Sequence, residues 1–424
     1  MWSLIRRNRA LRRIVLFQLF SGLQLGTFGL LFNLYLLTLG HKEDLIGLIA
    51  SATTLALSFM ALTAGRLVRR FGLRQTMGGG LSLSLLAALG LIFAPNAFFL
   101  LCFSILSGMG VAMMQSLQMP LLAEHVASED RATGAALVSA LATLSNTVGT
   151  LIGGFLPALL GLLGLGVLTR DRVALTAAVA LGAFALVPLI GLRGGGGGAP
   201  QGFSAAIGTV QEDRLRPQTR RTINNYAGAT ALISLGAGAF LPFVNVYLAR
   251  LGANPGEIGG LLSAVGVFGA ILGLGAPALA RLVGRERLSV FARVMPILPA
   301  LLLVLMPSIP FVVLTFAIRN AGAGMTWPIE AAILNDRIPA RARAGAFGLR
   351  TAAWNLAWAF SSALSGFLIV RGGYSWPIVI LIVSTILGGV VLSFVLRPTA
   401  EERAGGAPGR AALGGRSSVP PSRP

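Results

Sequence analysis

The sequence has one cysteine, two histidines and 14 acidic residues among its 424, against 34 lysines and arginines. With only Cys102 present, an intrachain disulfide is excluded. His41 and His125 both fall near chain reversals, and no H-E-x-x-H pair or His-rich cluster offers metal ligands. A phosphate-binding loop ending in Gly-Lys-Ser/Thr is also missing. The chain is therefore expected not to be an enzyme and to need neither metal nor cofactor.

What remains is apolar. Hydrophobic residues make up 55% of the chain, charged residues 11%, and there are 55 glycines. Mean hydropathy is +0.79. Apolar runs of about 20 residues recur along nearly the whole length, each long enough to cross hydrocarbon as a helix. Only an arrangement that satisfies its own backbone hydrogen bonds can sit there, so a helical bundle is implied. Abundant glycine suits it, because small residues let membrane helices approach closely. The opening "MWSLIRRNRALRR" resembles the charged end of a signal peptide, but the apolar run after it is too long and lacks a cleavage site. It is taken as the first span, retained.

Charges, prolines and glycines divide the chain into twelve runs. They lie near 14–39, 44–67, 75–94, 97–123, 132–157, 173–192, 222–249, 256–282, 288–306, 309–334, 344–370 and 375–396. The stretch 157–172 reads either as an extension of the fifth run or as a loop. The expected organisation is an all-α membrane protein with a six-helix bundle over 1–192, a glycine-rich linker over 193–221, a second bundle over 222–397 and a disordered tail over 398–424.

Positive charge sets the orientation. Five of the 34 basic residues (Lys42, Arg170, Arg172, Arg250 and Arg371) fall in loops opposite the termini, and Arg319 alone is counted inside a span. The rest share the side of the termini, which is therefore expected to be cytoplasmic, in a cell inner membrane or plasma membrane. The same asymmetry explains the basic stretch "AGRLVRRFGLRQ" at 64–75 as a topology signal and disposes of a nucleic-acid partner.

The halves repeat each other at an ungapped offset of 212 residues. "FNLYLLTLGHKEDLIGLI" at 32–49 matches "VNVYLARLGANPGEIGGL" at 244–261, pairing Asn33 with Asn245, Tyr35 with Tyr247, and Gly40 with Gly252. Arg131 aligns with Arg343. Parallel six-helix repeats imply a pseudo-two-fold axis along the membrane normal and a binding site where the halves meet.

With these features the chain resembles a transporter of the major facilitator superfamily over residues 10–397. Gly65, Leu67, Arg70, Gly72 and Arg74 match the pattern that the family places between helices 2 and 3. Arg69 stands where the family usually has an aspartate that latches this gating loop to helix 11 in the outward-facing state. Arg281, Gly284 and Arg285 are a remnant of the same pattern in the second half. Ser145, Gly149, Thr150, Gly153 and Gly154 resemble the glycine-rich motif of family antiporters, although a G-x-x-x-G face packs helices whatever the direction of transport.

The resemblance implies that helices 1, 4, 7 and 10 line a central cavity. The expected ligands are then Gln24 and Asn33, with Gln18, on helix 1, Gln115 and Gln118 on helix 4, and Asn245, with Asn225, on helix 7. Arg319, Asn320 and Trp327 on helix 10 complete them. Arg319 opens an R-x-x-G-x-G pattern, whose place in helix 4 is taken by "ILSGMG", with Ile105 at the arginine position. Glu330 comes eleven residues after Arg319, about 16 Å along the axis and about 20° from three full turns, so the two share a face but cannot pair. Its expected roles are proton coupling or an ion pair with Arg337 or Arg343. The implied activity is secondary transport of a small organic solute, with proton-coupled efflux first. Uptake symport, facilitative uniport and a transport-free sensor are left open. Expected partners are the solute, the lipid bilayer and protons, with the chain a monomer.

Overall fold

A computed structural model describes residues 8–127, 129–191 and 217–396. The linker and tail expected over 193–221 and 398–424 lie outside these residues, except that 217–221 is helical. Among the described residues, twelve helices are long and apolar enough to cross a membrane. They are α1 (Arg9–Thr38), α2 (Glu43–Phe71), α3 (Leu73–Phe93), α4 (Ala97–His125), α5 (Arg131–Gly161) and α6 (Val167–Ile190). The second half follows with α7 (Thr219–Arg250), α8 (Pro255–Val283), α9 (Arg285–Leu305), α10 (Ile309–Arg337), α11 (Ala340–Gly372) and α12 (Ser375–Val395). The doubtful stretch 157–172 supplies the end of α5, a short turn at Gly164, and the start of α6.

Large apolar side chains point outward along most helices: Leu162, Leu274 and Leu282 are more than four-fifths exposed. A water-soluble protein would hide such a belt, whereas a bilayer accepts it without cost. Inside, Tyr35, Leu36, Met77, Leu81 and Leu100 fill the core of the first half, and Tyr226, Leu288, Ile333 and Leu392 that of the second.

The repeat seen in the sequence is a repeat of conformation. Gly40 and Gly252 reverse the chain with φ of +82° and +95°, and Gly72 and Gly284 do so with +83° and +95°. Side chains rarely adopt that left-handed region, which is why glycine recurs there. Arg131 and Arg343 each donate from Nε to the carbonyl five residues before them, at 3.2 and 3.0 Å. The register also holds in α4 and α10, where Gly110 packs on Gly80 of α3 and Gly322 packs on Ala292 of α9. The position equivalent to Arg319 is therefore Ser107, not Ile105. Close backbone contact, rather than the glycine spelling of the motif, sets the alignment.

Candidate functional site

Contacts between the halves concentrate at the end of the bundle that carries the turns at Gly40 and Gly252. Asn33 donates from Nδ2 to the carbonyl of Pro242 at 3.0 Å, and Asn245 donates from Nδ2 to the carbonyl of Leu30 at 3.0 Å. Leu30 and Pro242 are themselves 212 residues apart, so the clasp is reciprocal about the pseudo-two-fold axis. Local sequence builds one side of it. Pro242 has no N–H, which frees the carbonyl of Gly238 one turn earlier, and Ser362 Oγ donates to it at 3.0 Å. α7 is drawn into a short 3-10 turn there, Leu241–Phe243.

Two glycine crossings flank the clasp. Gly47 of α2 lies against Ser362 and Gly366 of α11, and its repeat mate Gly259 of α8 lies against Thr150 and Gly154 of α5. A β-carbon at any of these four glycines would run into opposing backbone. An ionic contact completes the seal: Arg250 Nε donates to Glu43 Oε1 at 2.9 Å, and Tyr374 Oη donates to the same oxygen at 3.1 Å. Burial, and then the Glu43 carboxylate, push the Tyr374 phenol above its ordinary value, so it remains a neutral donor. Glu43 is buried and comes from one half, whereas Arg250 and Tyr374 come from the other.

From this seal a cavity of about 1380 Å³ runs between the halves toward the end that carries the chain termini. It reaches from Asn33 to Gln18 along α1, roughly 22 Å at 1.5 Å per residue. Ala136, Ser139, Ala140 and Thr143, a helical stripe of α5, line it and are exposed. Its polar lining consists of amides and hydroxyls, and none of its lining residues carries a formal charge. Of the sequence-predicted ligands, Asn33, Gln115, Gln118, Asn245 and Asn320 all line it, as does Gln18. Gln118 donates from Nε2 to Gln18 Oε1, tying α4 to α1 inside the cavity.

Four predicted ligands lie elsewhere, among them Asn225, which is exposed on α7 outside the lining. Gln24 is buried and packs against Gly182 of α6. Arg319 is half-buried outside the cavity lining, and the charge acting on it is the like-charged Arg293. Trp327 lies one turn beyond the lining residues Asn320 and Gly324 and is 43% exposed. In the loop between α2 and α3, Gly65 is buried, Arg69 is exposed in the last turn of α2, and Arg70 stacks 5.3 Å over the ring of Phe71. Gly72 alone joins the two helices, and Arg74 sits half-buried in the first turn of α3. The α5 glycines are accounted for by packing: Gly149 and Gly153 abut Leu23 and Thr27 of α1, and Gly154 abuts α8.

Glu330 does not pair with Arg337 or Arg343. Arg337 donates to the carbonyls of Val395 and Leu396, which close α12. The partner is Arg293 of α9, which gives a fork of 3.0 Å to Oε1 and 3.1 Å to Oε2, while Tyr226 Oη donates to Oε2 at 3.2 Å. Beside them Arg350 of α11 stacks over the rings of Trp327 at 4.5 Å and Tyr226 at 5.7 Å. Arg293 and Arg350 are 7% and 8% exposed. Both fall inside runs predicted as spans, 288–306 and 344–370, so they are membrane-embedded charges and not part of the basic excess on the terminal side. Their distance from the ends of their own runs was the signal that could have found them.

A clasp mutant follows directly. Asn33→Ala with Asn245→Ala removes both clasp hydrogen bonds, worth about 1 kcal/mol each. The sealed end should then open more often. Labelling of a cysteine placed at Thr150, in a Cys102→Ala background, should rise about thirtyfold from that side.

Twelve spans in two related halves, with a central cavity sealed at one end, define a membrane carrier. The profile of the Major Facilitator Superfamily matches residues 14–217 and 226–421, and the chain belongs to that family. Among solved structures it is similar to a bacterial homolog of the human lysosomal transporter Spinster, in an inward-facing and occupied conformation. That likeness has a TM-score of 0.72 and 13% identity, and covers 92% of this chain and 97% of that one. The nucleoside transporter NupG (D323A mutant) gives 0.71 and 12%, covering 92% and 100%, and a D-xylose–proton symporter gives 0.68 and 16%, covering 93% and 97%. At these identities the likeness is one of fold. The Bacillus subtilis (strain 168) protein YncC, whose name assigns it to metabolite transport, is 33% identical over 131 residues. That match spans 30% of this chain and only 28% of YncC.

Proposed function

We propose that this chain moves a small polar organic solute across the bilayer by alternating access of its two halves, with Glu330 as the proton-coupling carboxylate. The observation that carries the reading is the amide- and hydroxyl-lined cavity, sealed at one end by pseudo-symmetric contacts. Such a lining fixes orientation through hydrogen bonds while apolar walls shed water. The excess of Lys and Arg on the terminal side supports a cytoplasmic location for both termini in a cell inner or plasma membrane. The open end of the cavity then faces the cytoplasm.

Glu330 supports coupling by its position. It is 2% exposed, and its surroundings are Arg293 from α9, Tyr226 from α7, with Arg350 from α11 beside that ring, and Trp327 on its own helix. A proton arriving at Glu330 removes the charge that offsets Arg293 and loosens the contacts joining α7, α9 and α10. The packing role of the α5 glycines leaves the antiporter motif without weight on direction, so efflux and uptake are separated by assay.

The test is reconstitution into proteoliposomes with polar solutes, including nucleosides, pentoses and their acid derivatives, with and without an imposed pH gradient. Saturable flux that rises with the gradient supports the reading. Gradient-independent saturable flux would make the chain a uniporter. Binding without flux of any bound solute would favour the transport-free sensor.

Arg69→Asp restores the carboxylate that relatives carry in the α2–α3 loop. The expected result is a shift toward the outward-facing state, read as higher labelling at Thr150 from the sealed side. Unchanged labelling would reduce the loop to a topology signal.

A further inference from the structure

Arg350 is a buried cation that no acceptor satisfies. Among the described residues its guanidinium makes no hydrogen bond and no ion pair, and Nε is wholly enclosed. Its contacts are the faces of Trp327 and Tyr226. Two cation–π contacts offset only part of the cost of holding an unpaired charge out of water. The neighbouring carboxylate does not close the gap: Glu330 accepts from Arg293 at both oxygens and from Tyr226 at Oε2, and no hydrogen bond joins it to Arg350. One negative charge thus faces two positive ones.

The fold does not require this arrangement. The positions 212 residues earlier hold Val138 for Arg350, Gln118 for Glu330, Gln115 for Trp327, Leu81 for Arg293 and Ile14 for Tyr226. The first half closes the equivalent place with an uncharged Gln118–Gln18 hydrogen bond. Arg350 is not part of the cavity lining, but the stripe of α10 that lines the cavity leads toward it. Asn320 and Gly324 line the cavity, and half-exposed Trp327 continues that stripe by one turn to the ring on which Arg350 rests.

We infer that Arg350 is the anion-recognition residue of this carrier and that the transported solute bears a carboxylate or phosphate group, which completes the charge balance left by Glu330. This rests on the carrier reading above and names its substrate class. A planar guanidinium fork matches both oxyanions, and aromatic faces hold it in place without competing for its donors. Amides along the cavity would bind the remainder of the solute.

The test uses full-length protein in nanodiscs, with acetate and inorganic phosphate as probes and acetamide as the neutral control, all at constant ionic strength. Tryptophan fluorescence, to which Trp327 and Trp354 contribute, and melting temperature are followed. The wild type should respond saturably to at least one anion and not to acetamide. Arg350→Gln should raise the half-saturating concentration at least about tenfold, the loss expected for one charge-assisted fork. Arg350→Lys, which keeps the charge and tests the site if the glutamine variant fails to fold, should bind more weakly than wild type but better than Arg350→Gln. Exposed Arg285, paired with Asp336 at 3.6 Å, serves as control, and Arg285→Gln should leave binding unchanged. Absence of a saturable response in the wild type, or an unchanged midpoint in both Arg350 variants, overturns the assignment. A protein that transports yet binds neither anion sinks the role of Arg350 and keeps the carrier. One that binds anions through Arg350 but moves no solute keeps the site and sinks the carrier.

Discussion

Glu330→Gln is expected to reduce gradient-driven flux to background while leaving solute binding within a few-fold of wild type. The substitution keeps shape and one acceptor oxygen but removes the charge that offsets Arg293 at 3.0 Å. Breaking one side of a buried pair costs about 3–5 kcal/mol, because the surviving charge is left uncompensated. The single variant should therefore also melt several degrees lower. Arg293→Gln combined with Glu330→Gln removes both charges and should recover part of that loss. It should not recover the response to a pH gradient. The split separates stability from coupling. If the double variant regains gradient-driven flux, the proton is taken up elsewhere.

The second large effect is steric. Gly154→Ala or Gly366→Ala places a methyl group against opposing backbone, that of Pro255 and Gly259 in the first case and of Glu43 and Asp44 in the second. Backbone cannot rotate aside as a side chain can, so the sealed end should fail to close. Overpacking of this kind costs about 1–3 kcal/mol, enough to shift a two-state equilibrium by one to two powers of ten. Labelling at Thr150 from the sealed side should rise accordingly. Gly260→Ala, next to Gly259 but facing open space, should change nothing. Equal effects from Gly260→Ala and Gly154→Ala would mean that helix propensity, not the crossing, is being measured.

The twelve spans, the six-plus-six division and the repeat were legible because each rests on composition or spacing along a single stretch of chain. Gly40, Gly72, Gly252 and Gly284 illustrate this, since the conformation that demands glycine is local. The cavity residues Asn33, Gln115, Gln118 and Asn245 were legible through the resemblance, which names the helices that face inward. The partner of Glu330 was not. Arg293 lies 37 residues away on another helix, and no periodicity links the two. Counting charges by side also hid Arg293 and Arg350, because a basic residue two or three turns into a helix looks the same in a tally as one in a loop. Gln24 shows the reverse error: its helix faces the cavity, but its own face of that helix meets α6.

Alternation itself is tested most directly by two distances measured on the same protein. In a Cys102→Ala background, spin labels at Lys42 and Ser375 report across the sealed end. Labels at Gln75 and Arg287, repeat mates beside Gly72 and Gly284, report across the open one. On lowering the pH, and in Glu330→Gln, the account predicts that the Lys42–Ser375 distance lengthens while the Gln75–Arg287 distance shortens. Two distances that move together, or that stay fixed under both changes, would contradict it.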